Sequence, residues 1–182
     1  MPDPTNFDRT LWGAREGAEW AWREIYEWLA PALVGFLRGR GAADPEDVAG
    51  EVFVQLVRDL PSFEGDWRGF RAWALTIARN RMLDRARREA RRPDQPDPDP
   101  GATAPAGDVT EDAFARLGLG RVIDLLAGLS PDQRDVVLLR VVGDLSIDEV
   151  ARVVGKRSGA VKQLQRRGLA AIRRRLESEL VR

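Results

Sequence analysis

Ser146-Ile147-Asp148-Glu149-Val150-Ala151-Arg152-Val153-Val154-Gly155-Lys156-Arg157-Ser158-Gly159-Ala160-Val161-Lys162 reads as two helices joined by a short basic turn. The Ser146 hydroxyl can accept a hydrogen bond from a free first-turn amide, and Glu149 can return one, which makes a capping box. The apolar run Val150, Ala151, Val153, Val154 stops at Gly155, the residue type best suited to closing a helix. Ser158 then reads as the cap of the next helix. Upstream, Ser130-Pro131-Asp132-Gln133 is a second capping box, with Pro131 where a missing N–H costs least. These signals predict a helix-turn-helix, a layout that can place its last helix in a DNA major groove.

In that last helix Val161, Leu164, Gly168, Ile172 and Leu176 share one face, while Lys162, Gln163, Arg166 and Arg173 lie largely opposite. One face packs and the other can meet DNA. Arg, Lys and Gln offer the donors and acceptors that distinguish base pairs, and Gln163 and Arg166 are read as the base contacts. Lys156, Arg157, Arg167 and the amides of the helix start at Ser158 and Gly159 suit phosphates, which fix register without reading sequence. A helix-turn-helix built for protein contacts is the competing reading, and the basic face weighs against it.

Charge is segregated along the chain although its formal net value is zero. Arg79 to Arg92 holds seven arginines against Asp84 and Glu89, and Arg152 to Arg182 holds ten basic residues against Glu177 and Glu179. Either run alone reads equally well as the solvated face of a helix, but two in separate halves favour a nucleic-acid partner. Between them, residues 93–112 contain five prolines, six acidic residues and no basic one. Such a stretch cannot bury enough apolar surface to fold and reads as an acidic linker.

With neither cysteine nor histidine in 182 residues, disulfides, thiolate or imidazole zinc sites, cysteine nucleophiles and imidazole bases all drop out. No cofactor and no small-molecule substrate are expected. No stretch has the length and apolarity to span a bilayer, and no basic-then-apolar leader opens the chain, so a cytoplasmic protein without membrane insertion is expected.

The first half is helical too. Trp20, Trp22, Ile25, Tyr26, Trp28 and Leu29 begin an amphipathic segment that continues past Pro31 through Leu33, Val34, Phe36 and Leu37. Asp44-Pro45-Glu46-Asp47 caps a helix with Val48, Val52, Phe53, Leu56 and Val57 on one side, ending before Pro61. A third helix begins near Trp67, its core face Phe70, Trp73, Ala74, Ile77 and Ala78 giving way to arginines. Ser62, Phe63, Glu64 and Trp67 precede it in a polar, aromatic loop that suits an unstacked base, although Trp67 also reads as a staple of the helix start. After the linker, Leu119, Val122, Ile123, Leu125, Leu126 and Leu129 form one stripe and Val136 to Val142 another. Asp47 and Glu51, four apart, are read as an acidic docking face; with no nucleophile, metal motif or phosphate loop beside them, a catalytic pair is rejected.

Asp44-Pro45-Glu46-Asp47-Val48 with Glu51-Val52-Phe53, Phe70-Arg71-Ala72-Trp73 with Ile77-Ala78-Arg79-Asn80 and Asp84-Arg85, and Leu129-Ser130-Pro131 through Gly159-Ala160-Val161-Lys162 occur in an order that resembles the extracytoplasmic-function group of the sigma-70 family. The resemblance implies an all-α fold of two small helical domains. Residues 1–92 would be region 2, which binds core RNA polymerase and the minus-10 element. Residues 113–182 would be region 4, which reads minus 35 in promoter DNA. It implies polymerase contacts at Asp47, Glu51, Val52, Phe53, Gln55 and Arg58. The minus-10 path would be Ser62, Phe63, Glu64, Trp67, Arg68, Arg71, Arg79, Asn80 and Arg87. Lys156, Arg157, Ser158, Gly159, Lys162, Gln163, Arg166 and Arg167 would meet minus 35. Gly50 and Val57 depart from the Gln and large aromatic expected there, and Gln163-Leu164-Gln165-Arg166-Arg167-Gly168 departs from the commoner recognition-helix pattern. An anti-sigma protein is a further implied partner, while neither an autoinhibitory first region nor a fused C-terminal regulatory domain is expected. The protein would not be an enzyme. A stand-alone helix-turn-helix regulator with an N-terminal sensor or dimerisation domain is the alternative, and a carboxylate hydrolase a remote third.

Overall fold

The computed structural model describes residues 4–91, 118 and 120–180, and every regular element among them is helical. The acidic stretch 93–112 and Leu119 lie outside the described residues. The first unit comprises α1 (Pro4–Arg15), α2 (Glu19–Gly39), α3 (Pro45–Asp59), a 3₁₀ turn (Leu60–Ser62) and α4 (Trp67–Arg91). The second comprises α5 (120–127), α6 (Pro131–Val141), α7 (Ile147–Val154) and α8 (Ser158–Leu180).

Local chemistry sets the helix starts. Asp44 Oδ1 accepts from the Asp47 amide at 2.8 Å with Pro45 at the first position, and Asp66 Oδ1 accepts from the Gly69 amide at 2.8 Å. Both predicted capping boxes form, Ser130 with Gln133 and Ser146 with Glu149. Gly155 takes φ 66°, a left-handed turn that lets the Lys156 amide reach the Ala151 carbonyl at 3.0 Å. Ser158 behaves differently from the expectation. The Arg157 carbonyl accepts from the Ala160 and Val161 amides, and the Ser158 hydroxyl, rather than capping the helix, donates to Asp148 Oδ1 at 2.6 Å, tying α8 to α7. Ser146→Ala is expected to cost about 1 kcal/mol of stability, measured by urea unfolding, because it strips an acceptor from the α7 start; an unchanged midpoint would show that the box contributes nothing.

The core of the first unit is an aromatic cluster. Phe70, fully buried, has ring neighbours in Phe7 at 5.6 Å, Phe63 at 5.2 Å, Trp73 at 5.6 Å and Trp67 at 6.2 Å. Phe7 comes from α1, a helix absent from the expected elements although Phe7, Thr10, Leu11 and Ala14 carry its buried stripe. Two apolar assignments are corrected: Val57 and Val122 stand about half exposed, because Val48, Val52 and Leu56 already fill the inward face of α3, and Leu125 and Leu126 that of α5. In α6, by contrast, the four consecutive residues Val136, Val137, Leu138 and Leu139 are all buried, the mark of a helix covered on more than one side.

Candidate nucleic-acid and protein-docking interfaces

Three surfaces emerge. The first is the solvent face of α8 beside its turn. Gly159, Lys162, Gln163, Arg166 and Arg167 are exposed, while Val161 and Gly168 point inward, Gly168 so close to α6 that a Cβ there would stand 2.9 Å from Val137. Arg166 and Arg167 share an open groove with Gln133, Ala170 and Arg174. Arg157 is exposed; Lys156 is partly buried and pairs with Asp132 at 2.9 Å, which holds the turn against the start of α6.

The second surface is the loop before α4. Phe63 is buried and stacks on Trp73 at 5.1 Å with an interplanar angle of 16°, and its carbonyl accepts from Arg15. Trp67 is only 5% exposed, wedged against Phe7 at 5.6 Å and Trp28 at 5.8 Å. Its expected role as an outward base platform is therefore corrected: it anchors the loop from below, the stapling role. Gly65, at φ 144°, lets the chain fold back over the Phe63 ring. What faces solvent is an open cavity of about 420 Å³ lined by Asp59, Ser62, Phe63, Glu64 and Trp73. Ser62 donates to the Asp59 carbonyl at 2.8 Å, and Arg58, through a 2.8 Å hydrogen bond, holds the Asp59 carboxyl below its ordinary pKa. The cavity thus offers carboxylate acceptors beside an aromatic wall.

Along α4, Arg68, Asn80 and Arg87 are exposed, Arg87 pairing with Asp84 at 3.2 Å. Arg71 and Arg79 are not free to solvent. Arg71 donates to the Val142 carbonyl at 3.3 Å and lies 3.6 Å from Asp144; burial draws its pKa down, opposed by Asp144 and Glu149. Arg79 Nε donates to Asp135 Oδ2 at 2.8 Å.

The third surface is the outer face of α3. Its expected contacts divide. Val52 is fully buried and is corrected to a packing residue; Phe53 is half-buried and meets Tyr26 at 5.0 Å. Glu51 is held by Arg81 at 2.5 Å and Arg85 at 3.0 Å, Asp47 lies 3.6 Å from Arg85, and Gln55 accepts from Arg81 at 3.1 Å. The acidic face is therefore largely neutralised from α4. Sequence reasoning missed Val54, 72% exposed, and Tyr26, also exposed, which with Val57 make an apolar strip beside Phe53. The signal was there: an apolar residue two positions past Val52 cannot share its inward face.

Two family patterns match in this order, Sigma-70 region 2 over residues 21–92 and Sigma-70, region 4 over residues 119–172. The chain is 31% identical over 173 residues to the ECF RNA polymerase sigma factor BldN of Streptomyces coelicolor, covering 91% of this chain and 64% of that protein's length. It is 32% identical over 175 residues to the ECF RNA polymerase sigma factor SigD of Mycobacterium tuberculosis, covering 88% and 77%. Over 182 residues it is 30% identical to the ECF RNA polymerase sigma factor RpoE of Cereibacter sphaeroides, covering 93% and 97%. Among solved structures, CnrH in complex with the cytosolic domain of CnrY aligns with a TM-score of 0.67 at 25% identity, over 93% of this chain and 96% of that one. The chain belongs to the extracytoplasmic-function group of the sigma-70 family. The stand-alone regulator reading gains no support, since the first unit matches region 2.

Proposed function

We propose that this chain is a promoter-specificity subunit that joins core RNA polymerase, reads minus 35 as duplex and recognises and opens minus 10. The observation that carries the reading is the coupling, in one chain, of an exposed Gln163–Arg166 helix face to a first unit that presents a preformed loop cavity. In the major groove, α8 directs Gln163 and Arg166 at base edges, while Arg157, Lys162, Arg167 and the Ser158 and Gly159 amides hold phosphates. Lys156 reaches a phosphate only by exchanging Asp132 for it.

At minus 10, the cavity takes a base turned out of the stack. Trp73 and Phe63 supply the aromatic wall; Glu64, Asp59 and Ser62 line the edge, and carboxylate acceptors favour a base carrying an exocyclic amine. Arg68, Asn80 and Arg87 track the neighbouring backbone. The apolar strip Tyr26, Phe53, Val54 and Val57 docks polymerase, with Asp47, Glu51, Gln55 and Arg58 at its polar margin. The chain needs no catalytic group of its own, because bond formation belongs to the polymerase, and it works in the cytoplasm. An anti-sigma protein covering the same docking strip is the expected antagonist.

The α8 assignment is tested by Arg166→Ala, expected to weaken minus-35 binding by about 1–3 kcal/mol and to relax one base position in a selection from randomised duplexes. Uniform weakening across all sequences would move Arg166 to the phosphates.

A further inference from the structure

We propose that Lys162 is an acylation site, at which transfer of an acyl group from an acyl phosphate cancels a DNA-facing charge and weakens minus-35 binding without changing which bases are read. The effect on binding rests on the assignment of α8 to the minus-35 duplex; the site itself does not.

Of the 29 basic side chains only two are lysines, Lys156 and Lys162, and both fall in the helix-turn-helix. The distinction is chemical. A guanidinium stays protonated and offers no lone pair, whereas an amine that sheds its proton is a nucleophile. An activated acyl group, to which every arginine is inert, therefore meets side-chain amines only at the surface assigned to DNA.

The two lysines differ in their surroundings. Lys156 is partly buried with its Nζ 2.9 Å from Asp132 Oδ2, so the nitrogen is occupied and the facing carboxylate repels an anionic donor. Lys162, in the second turn of α8, is exposed, and among the described residues no carboxylate pairs with it. Arg166, one turn further along the helix, and Arg167 beside it are exposed as well, and their charge draws an acyl phosphate towards this face.

In the transfer, Lys162 Nζ as the free amine attacks the acyl carbon. The C–N bond forms, the C–O bond to the phosphate oxygen breaks, and inorganic phosphate leaves with the electron pair. The surplus proton on nitrogen passes to phosphate or water, and nothing is oxidised or reduced. The amide so formed is neutral, so a cation placed to hold a phosphate is lost. Gln163 and Arg166, the side chains assigned to base edges, have no nucleophilic amine, so the loss falls on backbone attraction and not on sequence readout.

The test treats the full chain with acetyl phosphate, removes the donor and maps the products by mass spectrometry, which separates Lys162, Lys156 and the α-amine. Lys162 is expected to acetylate at least about fivefold faster than Lys156. An equal or slower rate at Lys162 overturns the site. Binding is then measured on duplexes that the untreated chain selects from a randomised pool. Loss of one phosphate contact is expected to lower affinity about eightfold at about 0.1 M salt, and to reduce the slope of log affinity against log salt by about 0.9, with the ranking of sequences kept. Lys162→Gln is expected to show the same loss with no donor added. Lys162→Arg, which keeps a charge without the amine, is expected to bind equally before and after the exposure that modifies Lys162. Unchanged binding by the acetylated chain, a changed ranking, or an equal loss in Lys162→Arg overturns the effect on binding. If the untreated chain selects no duplex sequence, the α8 reading fails and that effect falls with it, while the mapped rates still decide the site.

Discussion

Trp67→Ala is expected to cost the first unit about 3–5 kcal/mol, the range for emptying a buried aromatic site that cannot collapse. The indole lies between Phe7, Trp28 and Phe70, so α1, α2 and α4 all lose a neighbour at once, and the loop above loses its floor. Urea unfolding measures the loss. Glu64→Ala supplies the contrast: Glu64 is exposed on the loop, and its removal is expected to leave the unfolding midpoint unchanged while impairing promoter opening. If Trp67→Ala kept its stability and lost only opening, the ring would be a base platform after all.

The second large effect is expected on the α3 strip. Val54→Glu together with Val57→Glu puts two charges where an apolar partner surface would close, and core-polymerase affinity is expected to fall by about 2 kcal/mol or more, roughly 30-fold in Kd. Both side chains are exposed, so folding is expected to survive, and circular dichroism with a thermal melt checks that it does. Undiminished binding by a folded double variant would remove this strip from the interface. Conversely, Val52→Ala is a core change and acts through stability.

Much of this was legible because the decisive signals are local. Capping at Asp44, Ser130 and Ser146 and the glycine stop at Gly155 depend on residues three or four apart, and each forms as its spacing implies. The packed face of α8 follows from Val161, Leu164 and Gly168 for the same reason. What failed depends on neighbours far along the chain. Trp67 reads equally well as platform or staple until Phe7 and Trp28 enclose it. Val57 and Val52 look alike in a helical pattern, and only the position of α2 decides which one is covered. Glu51 reads as a free acid until Arg81 and Arg85, some thirty residues on, take both its oxygens. Ser158 changes from cap to crosslink because Asp148 stands ten residues back in the facing helix. Most telling is Asp135, an unremarkable acid within an apolar run, whose meaning lies wholly in Arg40 and Arg79.

The central claim, that this chain redirects RNA polymerase to particular promoters, is tested most directly by transcription from a genomic promoter library with purified bacterial core enzyme, with and without the chain. A stable complex and a discrete set of new start sites, sharing one element near minus 35 and another near minus 10, is the predicted result. No complex with core enzyme, with start sites unchanged while the chain alone protects specific duplex DNA, would contradict it.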